Sequence, residues 1–405
     1  MPSTAINWPP PASKYKFCST PIPQERMRVR VLDKLPEHDT IWDLCMAPDD
    51  TLYIGACLEN FGGGSAWLCT YRADTDKIEY LVDMSVLTGE CVDSGRPTQG
   101  KIHFSLNYDE NGLIYGATHC TTAPMGEKMW SPFTNYADSI RSFTGAHLFV
   151  YDPKTREAKC LGIPMPREGI RVMVLDAKRR VFHGTSFPKN HYFIYDLNTM
   201  ECRDLGRVGN SHQVAMVMDN DGNGYVTDNF GHLVRCKAET YELEYLGVQT
   251  PVTHRNGEQN YSWQMVVEPK TGMIYGINME ECNTLWRYDP KTNRMEDLGP
   301  TYGFVNHGPY GYTSADMAGG LVFGMDGFLY YDAKENDTPQ GSVHHLIRYD
   351  TNTGDQTELG VIVSEGVNLC SVTSHAKADS KGNLFFADSA TTPPRMFIYL
   401  NEGSL

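Results

Sequence analysis

Histidines recur at one station of a repeating sequence: His38 in EHDTIWDL, His103 in KIHFSLNY, His212 in SHQVAMVM, His307 in NHGPYGYT and His375 in SHAKADS. Each stands at the head of an alternating apolar run. Other copies of the repeat place Arg167 and Arg171 (PREGIRVMVL), Trp263 (YSWQMVV), Tyr310 and Tyr312 at the same station. Imidazole, guanidinium and phenol in one cavity suit the β-elimination of a sugar from the 4-position of a uronic acid. That reaction removes the C5 proton, which is weakly acidic until a cation or an imidazole neutralises the neighbouring carboxylate. It also needs a base and a donor for the leaving oxygen, roles open to His and Tyr. Arg167 offers the planar fork that matches a carboxylate. Tyr151 (HLFVYD) follows as the candidate acid or base, its pKa lowered by a nearby arginine.

His103 and His119 (YGATH) bracket the first strand of their repeat, and His119 stands where other copies carry Ser186, Asn229 or Asp388. The expected catalytic set is therefore Tyr151, His103, His119 and Arg167. Arg171, His212, Trp263, Tyr310, Tyr312 and His38 are expected to hold substrate. The plainer reading is that the imidazoles fill a narrow polar channel. Tyr151 has its own plainer reading, because Tyr-Asp recurs at Tyr195-Asp196, Tyr288-Asp289 and Tyr349-Asp350 and would then be a packing feature of the repeat.

Two phrases build the elements that must position these groups. A short β-rich run appears as LYIGA at Leu52, LIYGAT at Leu113, VFHGTS at Val181, GYVTD at Gly224, MIYGIN at Met273, LVFGMD at Leu321 and LFFADS at Leu384. The copies lie about 45 to 70 residues apart, the length of a four-stranded propeller blade with variable loops. After six of these runs comes a hairpin such as HLFVYDPKTREAKCLG from His147 or LWRYDPKTNRMEDLG from Leu285, whose Asp, Pro and Gly supply the turn dihedrals. The last copy ends one strand short, after MFIYL from Met396, and RMRVRVLDKLP from Arg26 supplies the missing strand. The pattern predicts an all-β fold, a seven-bladed β-propeller whose ring is closed by an N-terminal strand completing the last blade. Residues 1–25 are expected to lie on the surface and 26–405 to form the single propeller domain.

Composition bounds the partners. A net charge of −15 repels nucleic acid and anionic membrane, so an anionic substrate requires a local cluster of Arg and Lys. The chain has no run of about 18 apolar residues for a membrane span. The eleven cysteines form no C-x-x-C pair and sit mostly in apolar runs, as free thiols of a reducing compartment. A cytoplasmic protein is expected, or a secreted one if a leader has been removed. DNDGNG from Asp219 reads as a tight turn rather than a calcium loop, since the later bidentate glutamate is missing. His344-His345 lies outside the channel station and is expected at the surface. No cofactor is required, although strand ends around one channel could hold a structural calcium or zinc ion.

The run KIHFSLNYDENGLIYGATH, then HLFVYDPKT, then REGIRVMVLDAKRRVFHGTSFPKNHYFIYDLNT resembles the seven-bladed propeller polysaccharide lyases, including ulvan lyases and rhamnose–glucuronate lyases. It is also similar to the propeller α-L-rhamnosidases that act on rhamnose linked to glucuronate. The similarity is clearest from Lys101 to Gly206. It implies a site lined by His103, His119, Tyr151 and Arg167, acting on a uronate-containing oligo- or polysaccharide. The rhamnosidase design implies instead a single histidine in the first blade, matched here by His38. The leading expectation is a lyase. A rhamnosidase hydrolysing rhamnosyl-glucuronate and a non-catalytic ligand-binding propeller are the alternatives.

Overall fold

The computed structural model describes residues 17–60, 62–120, 124, 138, 140–210, 213–251, 260–278, 284–301, 318–338, 341–369 and 373–402. Within them the strands form seven antiparallel sheets of four or five strands. Blade 1 is Thr40–Met46, Thr51–Cys57, Trp67–Arg72 and Lys77–Asp83. Blade 2 has a broken inner strand (Lys101–Ile102, then Asn107–Tyr108), followed by Ile114–His119, Leu148–Asp152 and Glu157–Gly162. Blade 3 is Gly169–Asp176, Val181–Phe187, His191–Asp196 and Glu201–Arg207. Blades 4, 5 and 6 begin at Val217–Met218, Ser262–Val267 and Ala318–Phe323.

Blade 7 joins the two ends of the chain. Its inner strands are Ala376–Ala378, Leu384–Ala387 and Arg395–Tyr399, and its outer strand is Met27–Val31, paired antiparallel as Met27↔Tyr399, Val29↔Phe397 and Val31↔Arg395. The seam is reinforced by Arg26, which lies 4.5 Å over the Tyr399 ring and 3.0 Å from Glu402. Closing the ring pairs an edge that would otherwise template aggregation.

Seven apolar clusters fill the seven gaps between neighbouring blades. The period of two along each strand sends alternate residues to opposite neighbours. In the third strand of blade 3, Phe193 and Tyr195 pack toward blade 2, while Tyr192 and Ile194 pack toward blade 4. Strands buried on both faces read as continuous apolar runs, which is why the first phrase looks as it does.

That phrase also carries a small residue for a structural reason. Gly116, Gly184 and Gly276 sit directly across from Phe149, Phe193 and Trp286, and a Cβ at any of the three would collide with the facing ring. The recurrent Tyr-Asp ends the third strand. Tyr151, Tyr195, Tyr288 and Tyr349 are buried, and the following aspartates accept turn N–H groups, as Asp152 does from Lys154 at 2.8 Å. DNDGNG is a tight turn, with Asp219 accepting from the N–H groups of Asp221 and Asn223 and Gly222 at φ 88°.

One surface expectation fails. His344 and His345 are 1% and 0% exposed. They belong to the third strand of blade 6, Gly341–Tyr349, whose two faces are both covered. Phe17 of the N-terminal segment stacks on His345 with centroids 4.3 Å apart.

Candidate functional site

The site begins with the break in blade 2. Between Ile102 and Asn107 the inner strand leaves its ladder, and Phe104 adopts φ 39°, a left-handed conformation costly for an aromatic residue. Neighbouring blades hold it there. The buried Asp43 carboxylate of blade 1 accepts the N–H groups of Ser105 and, at 2.6 Å, Leu106. On the other side Met173 N–H donates to the Phe104 carbonyl at 2.9 Å, and Asn107 bonds the Met173 carbonyl and the Leu175 N–H. The break thereby places Phe104 on the axis, edge-on to His375, Trp42 and Trp263 at 5.3, 6.0 and 6.4 Å. Beyond it, toward the ends of the inner strands, the channel is a cavity of about 340 Å³ with mainly aliphatic walls such as Val172, Val214 and Met216.

On the near side, where the inner strands begin, lies the mouth. Three of its residues share one structural cause. Trp42, Arg171 and Trp263 each occupy a β-bulge in the inner strand of blade 1, 3 or 5, where the register slips between Ile41 and Asp43, Ile170 and Val172, and Ser262 and Gln264. A bulge adds one residue that faces no ladder partner and re-aims its side chain. Trp42 and Trp263 meet at 6.0 Å, edge to face.

His103 stacks on Trp42 with centroids 4.9 Å apart and planes 20° from parallel. Its Nδ1 lies 2.9 Å from the Arg171 carbonyl, an acceptor, so Nδ1 carries the proton and Nε2 keeps its lone pair. Burial, then the Arg171, His119 and Lys101 charges, push the His103 pKa well below 6.5, so the ring is neutral at pH 7. The His119 ring is 5.3 Å away, and Lys101 sits across from His119 in the ladder. His119 fits because Gly169 faces it with no side chain.

Lys101, 2% exposed, is ion-paired with Glu59, which also accepts from Trp42 Nε1 at 2.5 Å. Burial alone would raise the Glu59 carboxyl, but Lys101, Trp42 and Arg171 together hold it below its usual range. Arg171 is half-buried and lies 5.1 Å over the Phe187 ring. Burial lowers its pKa against the opposing pull of Tyr261 and Glu59. Among the described residues no carboxylate lies within ion-pair distance of Arg171. Among the described residues the mouth thus holds one balanced ion pair and one unbalanced cation, in a chain of net charge −15.

Of the residues expected from sequence, His103, His119, Arg171 and Trp263 come together. Arg167 lies at the rim, in the turn leading into blade 3, with φ 67° and its N–H bonded to the Thr144 carbonyl. Tyr151 lies apart from them. It pairs with Ile114, at the opposite end of the strand that carries His119, roughly 17 Å along the blade. Its ring packs edge-on to Tyr53 at 6.3 Å, and burial raises its pKa, the reverse of what a base requires. His38 is anchored within blade 1, its Nε2 2.7 Å from the Ser65 carbonyl. His375 lies on the axis with Nδ1 3.0 Å from Asp43. His212, His307, Tyr310 and Tyr312 fall outside the described residues. Sequence reasoning missed Trp42, Asp43, Glu59, Lys101 and Phe104. Aligning TIWDL, GIRVM and YSWQMV by their bulges would have exposed Trp42 as the counterpart of Arg171 and Trp263.

No protein-family model matches the chain, and no curated protein matches it. Solved structures do. A streptogramin B lyase aligns with TM-score 0.56 at 10% identity, over 93% of this chain and 99% of that one. A catalytically inactive histidine-to-alanine form of virginiamycin B lyase from Staphylococcus aureus, with quinupristin, gives TM-score 0.57 at 10% identity over 93% and 100%. The RRP9 WD40 repeats give 0.59 at 7% over 95% and 100%. At these identities the likeness is one of fold: the chain is a seven-bladed β-propeller, an architecture it shares with lyases and with WD40 repeats alike.

Proposed function

We propose that the mouth binds a uronate-bearing glycan and cleaves it by β-elimination. The observation that carries this reading is the Arg171 guanidinium, without a carboxylate partner among the described residues, beside the neutral His103 imidazole. A sugar carboxylate would take the place of the missing counter-ion on Arg171, and its neutralisation acidifies the C5 proton. His103 Nε2, with its free lone pair, takes that proton. The electron pair forms the C4–C5 double bond, the C4–O bond breaks, and His119 in its imidazolium form protonates the departing oxygen, leaving the proton gained by His103 to restore the pair. Water is not consumed. Trp42 and Trp263 offer aromatic faces to the sugar rings. A propeller lyase that is inactive as a histidine-to-alanine form is a precedent for imidazole chemistry on this architecture.

Incubation with ulvan, gum arabic or glucuronan fragments should raise the ultraviolet absorbance of the unsaturated uronate. Arg171→Gln and His103→Gln should each slow that rise by about a hundredfold or more. Reducing sugar released with no absorbance change would point to hydrolysis and sink the proposal. Saturable glycan binding without turnover would leave a binding propeller.

A further inference from the structure

The N-terminal segment runs along the outer edge of blade 6 before it becomes the outer strand of blade 7. Ile22 N–H donates to the Val361 carbonyl at 3.0 Å, and Val361 N–H donates to Thr20 at 2.9 Å. At the head of this strap three potential metal ligands converge: Cys18, His345 and Glu358, with their donor atoms all within 4.8 Å of one another. One Glu358 oxygen receives both the Cys18 thiol at 2.9 Å and His345 Nδ1 at 2.6 Å. Cys18 N–H also donates to the same carboxylate.

We propose that Cys18, His345 and Glu358 form a structural zinc site that fastens the strap to blade 6. Thiolate, imidazole and carboxylate are the donor types zinc prefers, and a solvent molecule completes four-coordination from the half-buried Cys18 side. The other nitrogen supports the assignment. His345 is fully buried, and its Nε2 faces Glu335 at 3.4 Å, the carboxylate that orients a zinc-bound histidine from behind. Zinc would displace the thiol proton to solvent and shift the imidazole proton from Nδ1 to Nε2, where Glu335 accepts it. A second Cys–His–Glu group contrasts with this one. In Cys160–His147–Glu90 the thiol and carboxylate face opposite nitrogens of the ring, so one ion cannot join all three.

The test uses the full chain, stripped with chelator and titrated with zinc, then with cobalt as a coloured substitute. The expected results are one ion per chain, a rise in Tm, and a thiolate-to-cobalt charge-transfer band. Cys18→Ser, which keeps the hydrogen bond to Glu358, should lose the band and stoichiometric binding. Glu335→Gln should weaken zinc by about 10- to 100-fold without abolishing the band. Zinc should also slow hydrogen exchange of the Ile22 and Val361 amides. Failure of the wild-type chain to bind, or an unchanged band in Cys18→Ser, would overturn the proposal, and neither result touches the mouth.

Discussion

His183 gives the sharpest stability prediction. It lies on the second strand of blade 3, 0% exposed, with Nδ1 2.8 Å from the Tyr192 hydroxyl. Burial lowers its pKa from 6.5 to about 4, with Asp176 opposing the shift and Arg179 adding to it. The native ring therefore stays neutral while the unfolded chain takes up a proton as the pH falls through 6.5. The contribution to stability is present above 6.5, declines as pH falls, and levels off below the native value. Between pH 7.5 and 5 the loss is about 2 kcal/mol. His183→Asn keeps a hydrogen-bonding group for Tyr192 and removes the titration. Urea unfolding of both proteins at the two pH values gives the difference directly. The wild-type advantage should shrink by about 2 kcal/mol on going to pH 5. An advantage equal at both pH values would refute the claim that this ring is held neutral.

Three further outcomes follow from the packing and the mouth. Gly276→Ala should lower the urea midpoint at unchanged slope, by about 1–3 kcal/mol, because its methyl group collides with the buried Trp286 indole; an unchanged midpoint would contradict the facing-ring account. Asp43→Ala should cost about 1–3 kcal/mol and abolish elimination, since it leaves the Ser105 and Leu106 N–H groups, both held by one Asp43 oxygen, without their acceptor; full activity would show that the break in blade 2 is held by other means. The acidic limb of kcat/KM should lie below pH 6.5, because burial and neighbouring cations keep His103 unprotonated there; a limb above 6.5 would exclude His103 as the base.

The ring was legible in the sequence because the blades repeat similar strand lengths and turn residues, and blades 2, 3 and 5 set a glycine opposite an aromatic. The closing strand could be read from the arithmetic of an incomplete last blade. The site was only half legible. His103, His119, Arg171 and Trp263 stand at the station where blades converge, and periodicity locates that station. Tyr151 falls at the far end of its strand from His119, and adjacency in sequence says nothing about which end of a strand a residue occupies. Trp42, Asp43 and Phe104 were hidden because bulges and a broken strand violate the period that guides such a reading. Glu59 and Lys101 lie on different blades and meet only through the closed ring. The burial of His345 depended on a segment 327 residues upstream, from Cys18, folding back onto blade 6.

The central claim is that a sugar leaves a uronate at this mouth without the addition of water. Cleavage in heavy-oxygen water followed by mass spectrometry reads that out. Elimination predicts a uronate product one water lighter than the hydrolytic one and free of label, with its yield collapsing in Arg171→Gln. A saturated uronate, with the solvent label on the anomeric carbon of the released sugar, or undiminished cleavage in that variant, would contradict it.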